Sequence, residues 1–223
     1  MKISKKSIAF LLASSLCSCS MYDSDNIAPG YKAAYKGISS YFFPKDNEFI
    51  TPQVVNQIPY ASALIKLGKG TSNLIILESI NNDTYNYVSS DSIYLSIKNG
   101  RIVSTSGLSN NLQEFIEPFS ITNWNENNKD DYVYNVFYSY DQPELIRLKI
   151  NASLKYIGKE EVDLFTQKKL LRRYEEKISN FYLRWNKKNI FWLDEEGYVW
   201  KSIQHISPKL PQFEIVITKK PAE

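Results

Sequence analysis

Short segments in which apolar and polar residues alternate predict most of the strands in this chain. Residues 61–67 alternate with a period of two, as expected for a strand with one buried face. The run at residues 73–77 is apolar at every position after Asn73 and predicts a strand buried on both faces, and residues 85–88 predict the next strand. Because such strands follow one another with only polar turns between them, the pattern favours an antiparallel all-β fold.

The strongest local signal is a β-hairpin centred on Asn99-Gly100. Both residues tolerate the positive φ of a type I′ turn, and the twist of that turn matches the twist of its flanking strands. The apolar residues at 93, 95 and 97 would share one face with Ile102 or Val103 across the hairpin. We therefore predict two paired strands within residues 92–103.

The same patterns continue towards the C-terminus. The segments that predict further strands are residues 131–140, 145–150, 153–157, 189–193, 197–203 and 213–217. The segments at 189–193 and 197–203 flank Asp194-Glu-Glu196, and Gly197 is placed to close a looser hairpin between them.

Two segments point to helices instead. Thr51-Pro52 is a good helix start, a capping hydroxyl followed by proline, but Pro59 limits this helix to about two turns. Residues 170–178 are rich in Leu, Arg, Glu and Lys, and large apolar residues recur there at i, i+3 and i+7. The long segments on either side all predict strands, so the sequence alone does not decide between helix and strand for residues 170–178.

The N-terminus has the layout of a bacterial lipoprotein signal. Three lysines precede a short apolar run at residues 8–16, and no acidic residue occurs before Cys19. The run is too short to span a bilayer stably but suits a signal peptide. It ends in Leu16-Cys17-Ser18-Cys19, which resembles a lipobox, in which the last cysteine is acylated once the signal has been removed. An ordinary secretory signal that happens to contain cysteine is the alternative.

This signal predicts both a boundary and a location. We predict a signal peptide at 1–18, acylated Cys19 with a flexible tether at 19–30, and a single β domain at 31–223. Cys17 is a poor acceptor because Leu16 would then occupy the cleavage position, where a small residue is required. The residue after Cys19 is Ser20 and not Asp. By resemblance to enterobacterial sorting rules, this favours a lipid-anchored protein at the periplasmic face of the outer membrane.

Charge and composition exclude several classes of function. The chain has 27 Lys and Arg against 24 Asp and Glu, and the three lysines of the signal account for the whole excess. The mature chain is therefore neutral, which argues against a nucleic-acid partner. No cysteine follows Cys19 and His205 is the single histidine, so we expect no disulfide, no metal site, no cofactor and no Ser-His-Asp triad.

The acidic residues give no sign of catalysis. A glycosidase needs two carboxylates that face each other across a sugar. Asp130-Asp131 and Glu195-Glu196 are adjacent pairs, so in a strand their side chains would point to opposite faces. We therefore expect no catalytic residues and a protein that is not an enzyme.

Seven short segments occur in a fixed order behind the lipobox. They are Pro59-Tyr-Ala-Ser62, Val88-Ser-Ser-Asp91, Asn99-Gly-Arg-Ile102, Thr105-Ser-Gly-Leu108, Phe191-Trp-Leu-Asp194, Gly197-Tyr-Val-Trp-Lys-Ser202 with Gln204, and the Pro208/Pro211 segment. In this order they resemble the YjbF/GfcB family of capsule and exopolysaccharide outer-membrane lipoproteins. The resemblance runs from about Thr51 to Lys220, with a poor match over 110–165, and Tyr87 stands where the family pattern has a tryptophan.

The resemblance implies a fold and a function. The fold is all-β, a large antiparallel meander sheet curled on itself, half-barrel or sandwich-like, with one or two short helices, which favours a strand at 170–178. The function is a non-catalytic part in the assembly or export of capsular or extracellular polysaccharide, beside an outer-membrane barrel and periplasmic export proteins. A lipid-handling carrier of the outer-membrane lipoprotein-receptor type and a barrel-assembly accessory are the alternatives.

One strand offers candidate contact residues for a glycan or a partner. Tyr132, Tyr134, Tyr138 and Tyr140 fall on one side of the strand predicted at 131–140. Aromatic rings stack on the apolar faces of sugars, and phenol hydroxyls bond sugar hydroxyls, so the four tyrosines could form a platform. Tyrosine also favours the half-buried surface of a sheet for purely structural reasons.

Overall fold

The computed structural model describes residues 50–118, 120–121 and 131–221, and these residues form a helix and a set of strands. The helix is α1 (Pro52–Gln57). The strands are β1 (Ser62–Leu67), β2 (Ser72–Asn81), β3 (Thr84–Ser89), β4 (Tyr94–Lys98), β5 (Arg101–Ser106), β6 (Leu112–Ile116), β7 (Tyr132–Asp141), β8 (Glu144–Asp163), β9 (Lys168–Asn180), β10 (Trp185–Leu193), β11 (Val199–Gln204) and β12 (Phe213–Lys219). The predicted signal peptide, Cys19 and the predicted tether lie outside the described residues.

All 12 strands belong to one antiparallel sheet that is nearly closed. Their order is β5-β4-β3-β2-β1-β12-β11-β10-β9-β8-β7-β6, so two meanders join where β1 pairs with β12. The two edge strands, β5 and β6, lie against each other, and the Leu112 N–H donates to the Thr105 hydroxyl at 2.9 Å. This confirms the all-β fold with a large antiparallel meander sheet curled on itself.

The local turn and cap signals form as the sequence predicts. Asn99 and Gly100 have φ of 50° and 76°, so the left-handed turn between β4 and β5 is present. Thr51 caps α1, its hydroxyl accepting from the Val54 N–H at 3.3 Å, and the helix ends before Pro59. Thr51 and Pro52 thus set the start of the helix, and Pro59 limits its end.

Residues 170–178 are a strand. They belong to β9, which pairs with β8 along one edge and with β10 along the other. Tyr174, Glu176 and Ile178 alternate as buried residues, which is the period of a strand. The backbone bonds of two neighbouring strands therefore outweigh the local helix propensity of this segment.

Two other features differ from the sequence pattern. The segments at 145–150 and 153–157 are parts of one strand, β8, which is 20 residues long, and β6 has no counterpart among the predicted strands. The run at 73–77 is not buried on both faces throughout: Leu74 and Ile75 are buried, whereas Asn73 is exposed. On the outer face of the sheet, Leu74 of β2 packs against Val55 of α1.

The core has two parts. The large part fills the interior of the curled sheet with residues from nearly every strand. The small part lies outside it, where Val55 and Ile58 at the end of α1 pack on Leu64 and Leu74. The sheet therefore encloses its main core, and α1 covers only one patch of its outer face.

The strands run between two ends of the sheet. The α1 end carries α1 and the β2–β3, β4–β5 and β10–β11 turns, while the opposite end carries the β9–β10 turn. Within the described part of the chain, no helix has the length and apolar character needed to cross a membrane.

Candidate functional site

A buried charged cluster occupies the interior of the sheet. Arg101, at the start of β5, and Glu176, in the middle of β9, have side chains 3% and 1% exposed. The guanidinium binds the carboxylate at two points, Nη1 to Oε2 at 3.0 Å and Nη2 to Oε1 at 2.8 Å. A second carboxylate, Glu117, contacts Nε of Arg101 at 2.7 Å. One arginine is thus held between two acids.

Neutral groups complete this Arg101 cluster, which comprises Arg101, Glu117, Tyr134, Glu176 and Asn189. The Tyr134 hydroxyl donates to Oε1 of Glu176 and accepts from Nη2 of Arg101 at 3.2 Å. Asn189 lies opposite Glu176 on β10 and donates Nδ2 to Oε2 at 2.8 Å. Both oxygens of the buried carboxylate are therefore bonded, as the burial of a charge requires.

The hairpin turn brings Arg101 to this position. The Asn99-Gly100 turn places Arg101 as the first residue of β5, and its guanidinium lies 4.7 Å from the ring centre of Phe191 and 5.5 Å from that of Phe115. Aromatic faces attract a cation most strongly where water is excluded. The rings therefore enclose the ion pair and limit the screening of its charges.

The surroundings move the two carboxyl groups in opposite directions. Burial alone would raise the pKa of Glu176, but the charge of Arg101 and the hydrogen bonds of Arg101, Tyr134 and Asn189 hold it below its ordinary value. Burial raises the pKa of Glu117 to about 7, and the charge of Arg101 only partly opposes this. Glu176 is thus an ionised partner, whereas Glu117 titrates near neutrality.

Gln204 makes a second connection across the interior. Its Oε1 accepts from the Ile102 N–H at 3.0 Å, and its Nε2 donates to the Gly100 carbonyl at 2.9 Å. These bonds tie the β4–β5 hairpin to β11. A Cβ on Gly100 would meet Val199 Cγ2 at 2.3 Å, so the turn packs directly on the first residue of β11.

The tyrosines of β7 share a face, but the structure does not expose them as a platform. Tyr134, Tyr138 and Tyr140 are only 6%, 3% and 3% exposed, and Tyr132 is 38% exposed. The expectation of an open platform is wrong for the three buried residues, because the sheet curls so that this face of β7 turns inward. Tyr134 binds Glu176, and the Tyr140 hydroxyl donates to the Ile206 carbonyl at 2.7 Å.

The remaining candidates lie at the surface or in local contacts. Glu195 and Glu196 are exposed in the β10–β11 turn, and Asp131 is exposed beside β7. The Asn189 Oδ1 accepts from the His205 N–H at 2.7 Å; burial, followed by the charge of Lys187, lowers the pKa of this histidine. Asp130 lies outside the described residues.

Sequence reasoning missed Glu176, Glu117 and Asn189. A signal for Arg101 was present, since it stands inside the Asn99-Gly-Arg-Ile102 segment of the resemblance. No comparable signal marked its partners, because Glu176 and Asn189 belong to strands far away in the chain and Glu117 follows β6, which the sequence pattern did not predict. Within the cluster, Arg101 lies between the two acids, so these carboxylates do not face each other across an open cleft.

Comparison with known proteins places the chain in a family. The model of the group 4 capsule polysaccharide lipoprotein family GfcB/YjbF matches residues 35–217. Among solved structures, the hypothetical lipoprotein YmcC from Escherichia coli (K12) is 20% identical with a TM-score of 0.67, over 85% of this chain and 96% of that one. No curated protein matches the chain.

A second solved structure is much less similar. It is a lipoprotein structure from Parabacteroides distasonis, 10% identical with a TM-score of 0.38, over 72% of this chain and 93% of that one. The similarity to YmcC supports the all-β curled fold, and the family match covers most of the chain. The chain therefore belongs to the YjbF family of group 4 capsule polysaccharide lipoproteins.

Proposed function

We propose that this lipoprotein takes a non-catalytic part in the assembly or export of a capsular or extracellular polysaccharide, anchored through Cys19 at the periplasmic face of the outer membrane. The observation that carries the proposal is the match of the capsule lipoprotein family over residues 35–217. The lipobox-like segment ahead of that match supports the anchor, and Ser20 favours the outer membrane.

The Arg101 cluster supports a role without catalysis. A glycosidase keeps its two carboxyl groups roughly 5–10 Å apart across the space that the sugar occupies. Here the guanidinium of Arg101 lies between Glu117 and Glu176, at 2.7 Å from one and 2.8 Å from the other. The arrangement suits a structural tie between β5 and β9.

The end of the sheet opposite α1 supports a role in holding partners. Phe181 and Tyr182 in the β9–β10 turn are 87% and 90% exposed, and neighbouring Leu183 is 40% exposed. Adjacent exposed aromatics are characteristic of contact surfaces. The two edge strands lie against each other, so this hairpin tip suits a partner better than an edge of the sheet does. We propose that an outer-membrane barrel or periplasmic export protein binds there.

The interior favours this proposal over a lipid-handling carrier. An acyl chain needs a cavity with an aliphatic lining. In the described residues the interior instead holds a charged group at its centre, surrounded by Phe115, Phe191 and Tyr134. No observation favours a barrel-assembly accessory.

The test uses deletion of the gene and complementation with matched cysteine variants. Deletion should reduce the amount of surface polysaccharide, and the wild-type gene should restore it. Cys17→Ser should also restore it, because Cys17 is a poor acceptor, whereas Cys19→Ser should yield an unacylated protein that does not. A normal amount of surface polysaccharide after deletion would overturn the proposal. If Cys19→Ser restored the polysaccharide fully, the proposed lipid anchor would be wrong.

A further inference from the structure

A pocket of about 220 Å³ lies at the α1 end of the sheet, apart from the Arg101 cluster. It lies between the β2–β3, β4–β5 and β10–β11 turns, and its floor is formed by apolar residues of β11 and β12. The residues that bear its chemistry are Asp83, Tyr85, Tyr87, Tyr198, Trp200 and Ser202. Pockets for drug-sized ligands have roughly 300–1,000 Å³, so this one suits a smaller molecule, about one ring in size.

Tyr87 is the unusual residue of this pocket. Its side chain is only 2% exposed, and it lines the pocket. Burial, and then the neighbouring Tyr85, raises the pKa of Tyr87, so the hydroxyl remains protonated and able to donate. This phenol can therefore donate a hydrogen bond to a polar group of a ligand in the pocket.

Two further phenols share this space. Tyr85 and Tyr198 line the pocket together with Tyr87, and burial, followed by the charges of Tyr87 and Tyr85, raises the pKa of Tyr198. The Asp83 carboxylate and the Ser202 hydroxyl also line the pocket. Donors and acceptors thus converge from several sides, as a molecule with several hydroxyl groups requires.

The aromatic rings are held in fixed positions. The Asp194 carboxylate accepts from the Tyr198 N–H and from Nε1 of Trp200, each at 2.7 Å. The two rings meet edge to face at 5.3 Å and 72°. Nζ of Lys169 lies 3.9 Å from the centre of the Trp200 ring. Rings fixed before binding offer an apolar surface at little cost in conformational entropy.

From this combination we infer that the pocket binds one sugar ring of the polysaccharide, with Tyr198 and Trp200 contacting its apolar face and Tyr87 donating to a ring hydroxyl. Sugars combine a face of C–H groups with a periphery of hydroxyls, and the pocket offers partners for both. The choice of a sugar rests on the proposed function, whereas the pocket and its aromatic lining do not.

The test is a binding measurement with matched tyrosine variants. Oligosaccharides prepared from the surface polysaccharide of the same strain are titrated into the purified protein, and saturation-transfer NMR reports contact. Tyr87→Phe keeps the ring and removes only the hydroxyl, so affinity should fall about three- to tenfold, the loss of one hydrogen bond. Tyr198→Ser should weaken binding further. The control is Tyr60→Phe, the same change at an exposed tyrosine that does not line the pocket, which should leave binding unchanged.

The outcomes separate this inference from the proposed function. If the wild-type protein does not bind the oligosaccharides, or if Tyr87→Phe and Tyr198→Ser bind as well as the wild type, the sugar pocket is overturned. The proposed function survives that result as long as deletion still lowers surface polysaccharide. If deletion has no effect on surface polysaccharide, the proposed function fails, even where purified protein still binds sugar through Tyr87.

Discussion

Arg101 and Glu176 lie 75 residues apart in the sequence and meet inside the sheet as a two-point ion pair. Arg101 belongs to β5, an edge strand, and Glu176 to β9, which lies eight places further along the sheet order. The pair therefore spans the interior of the curled sheet. Its stability and its titration are both accessible to measurement.

Loss of Arg101 should destabilise the fold strongly. Arg101→Met leaves Glu176 buried without its cation, and removal of one partner from such a pair costs about 3–5 kcal/mol. Urea denaturation gives the free energy of unfolding. The control is Lys155→Met, since Lys155 and Asp131 form a pair 57% and 41% exposed, worth at most about 1 kcal/mol. Equal losses in the two variants would contradict the assignment of Arg101 as a buried tie.

Glu117 should make the protein less stable as the pH rises towards neutrality. Its pKa is raised from 4.5 to about 7 in the folded protein, chiefly by burial, so between these values the folded state binds more protons than the unfolded state. The contribution of Glu117 to the free energy of unfolding therefore falls as the pH increases from about 4.5 to about 7. Glu117→Gln should flatten this dependence of stability on pH. An unchanged dependence would contradict the raised pKa of Glu117 in the folded protein.

Gly100 should tolerate alanine poorly. It has φ of +76°, and an added Cβ would lie 2.3 Å from Val199, so Gly100→Ala combines backbone strain with overpacking. Gly158 is the matched control, because its φ is also positive but nothing lies within 4 Å of its Cβ position. Thermal and urea unfolding should show Gly100→Ala to be about 1–3 kcal/mol less stable than Gly158→Ala. Equal stability would show that the contact with Val199 is unimportant.

The hairpin tip should contact a partner in the envelope. A photo-reactive amino acid at Phe181 or Tyr182 should crosslink in living cells to an envelope protein of the polysaccharide export system, since both side chains are almost fully exposed. The same amino acid at Tyr60, which is 42% exposed at the α1 end, serves as the control. Crosslinks that form equally at Tyr60 and Tyr182, or at neither, would contradict a docking role for this tip.

Local sequence signals predicted most of the strands, because most strands have their own alternation of apolar and polar residues or their own turn residues. The Asn99-Gly100 hairpin is the clearest case, since the two residues alone determine the turn. Residues 170–178 were ambiguous because apolar residues there also recur at helical spacing. The pairing of β9 with β8 and β10, which decides for a strand, involves distant parts of the chain.

The interior site could not be predicted in the same way. Alternation places Tyr134, Tyr138 and Tyr140 on one face but does not tell which face the curled sheet turns inward. Likewise, nothing around Glu176 marks it as the partner of Arg101, since a glutamate in a strand of Lys, Arg and Glu residues resembles a surface charge. Only the closure of the sheet brings these residues together.

The amount and sugar composition of the surface polysaccharide after deletion of the gene test the central claim most directly. A protein that assists assembly or export without changing the polymer should leave less polysaccharide, built from the same sugars in the same proportions. An unchanged amount would contradict a role in this process, and an altered sugar composition would contradict a non-catalytic one.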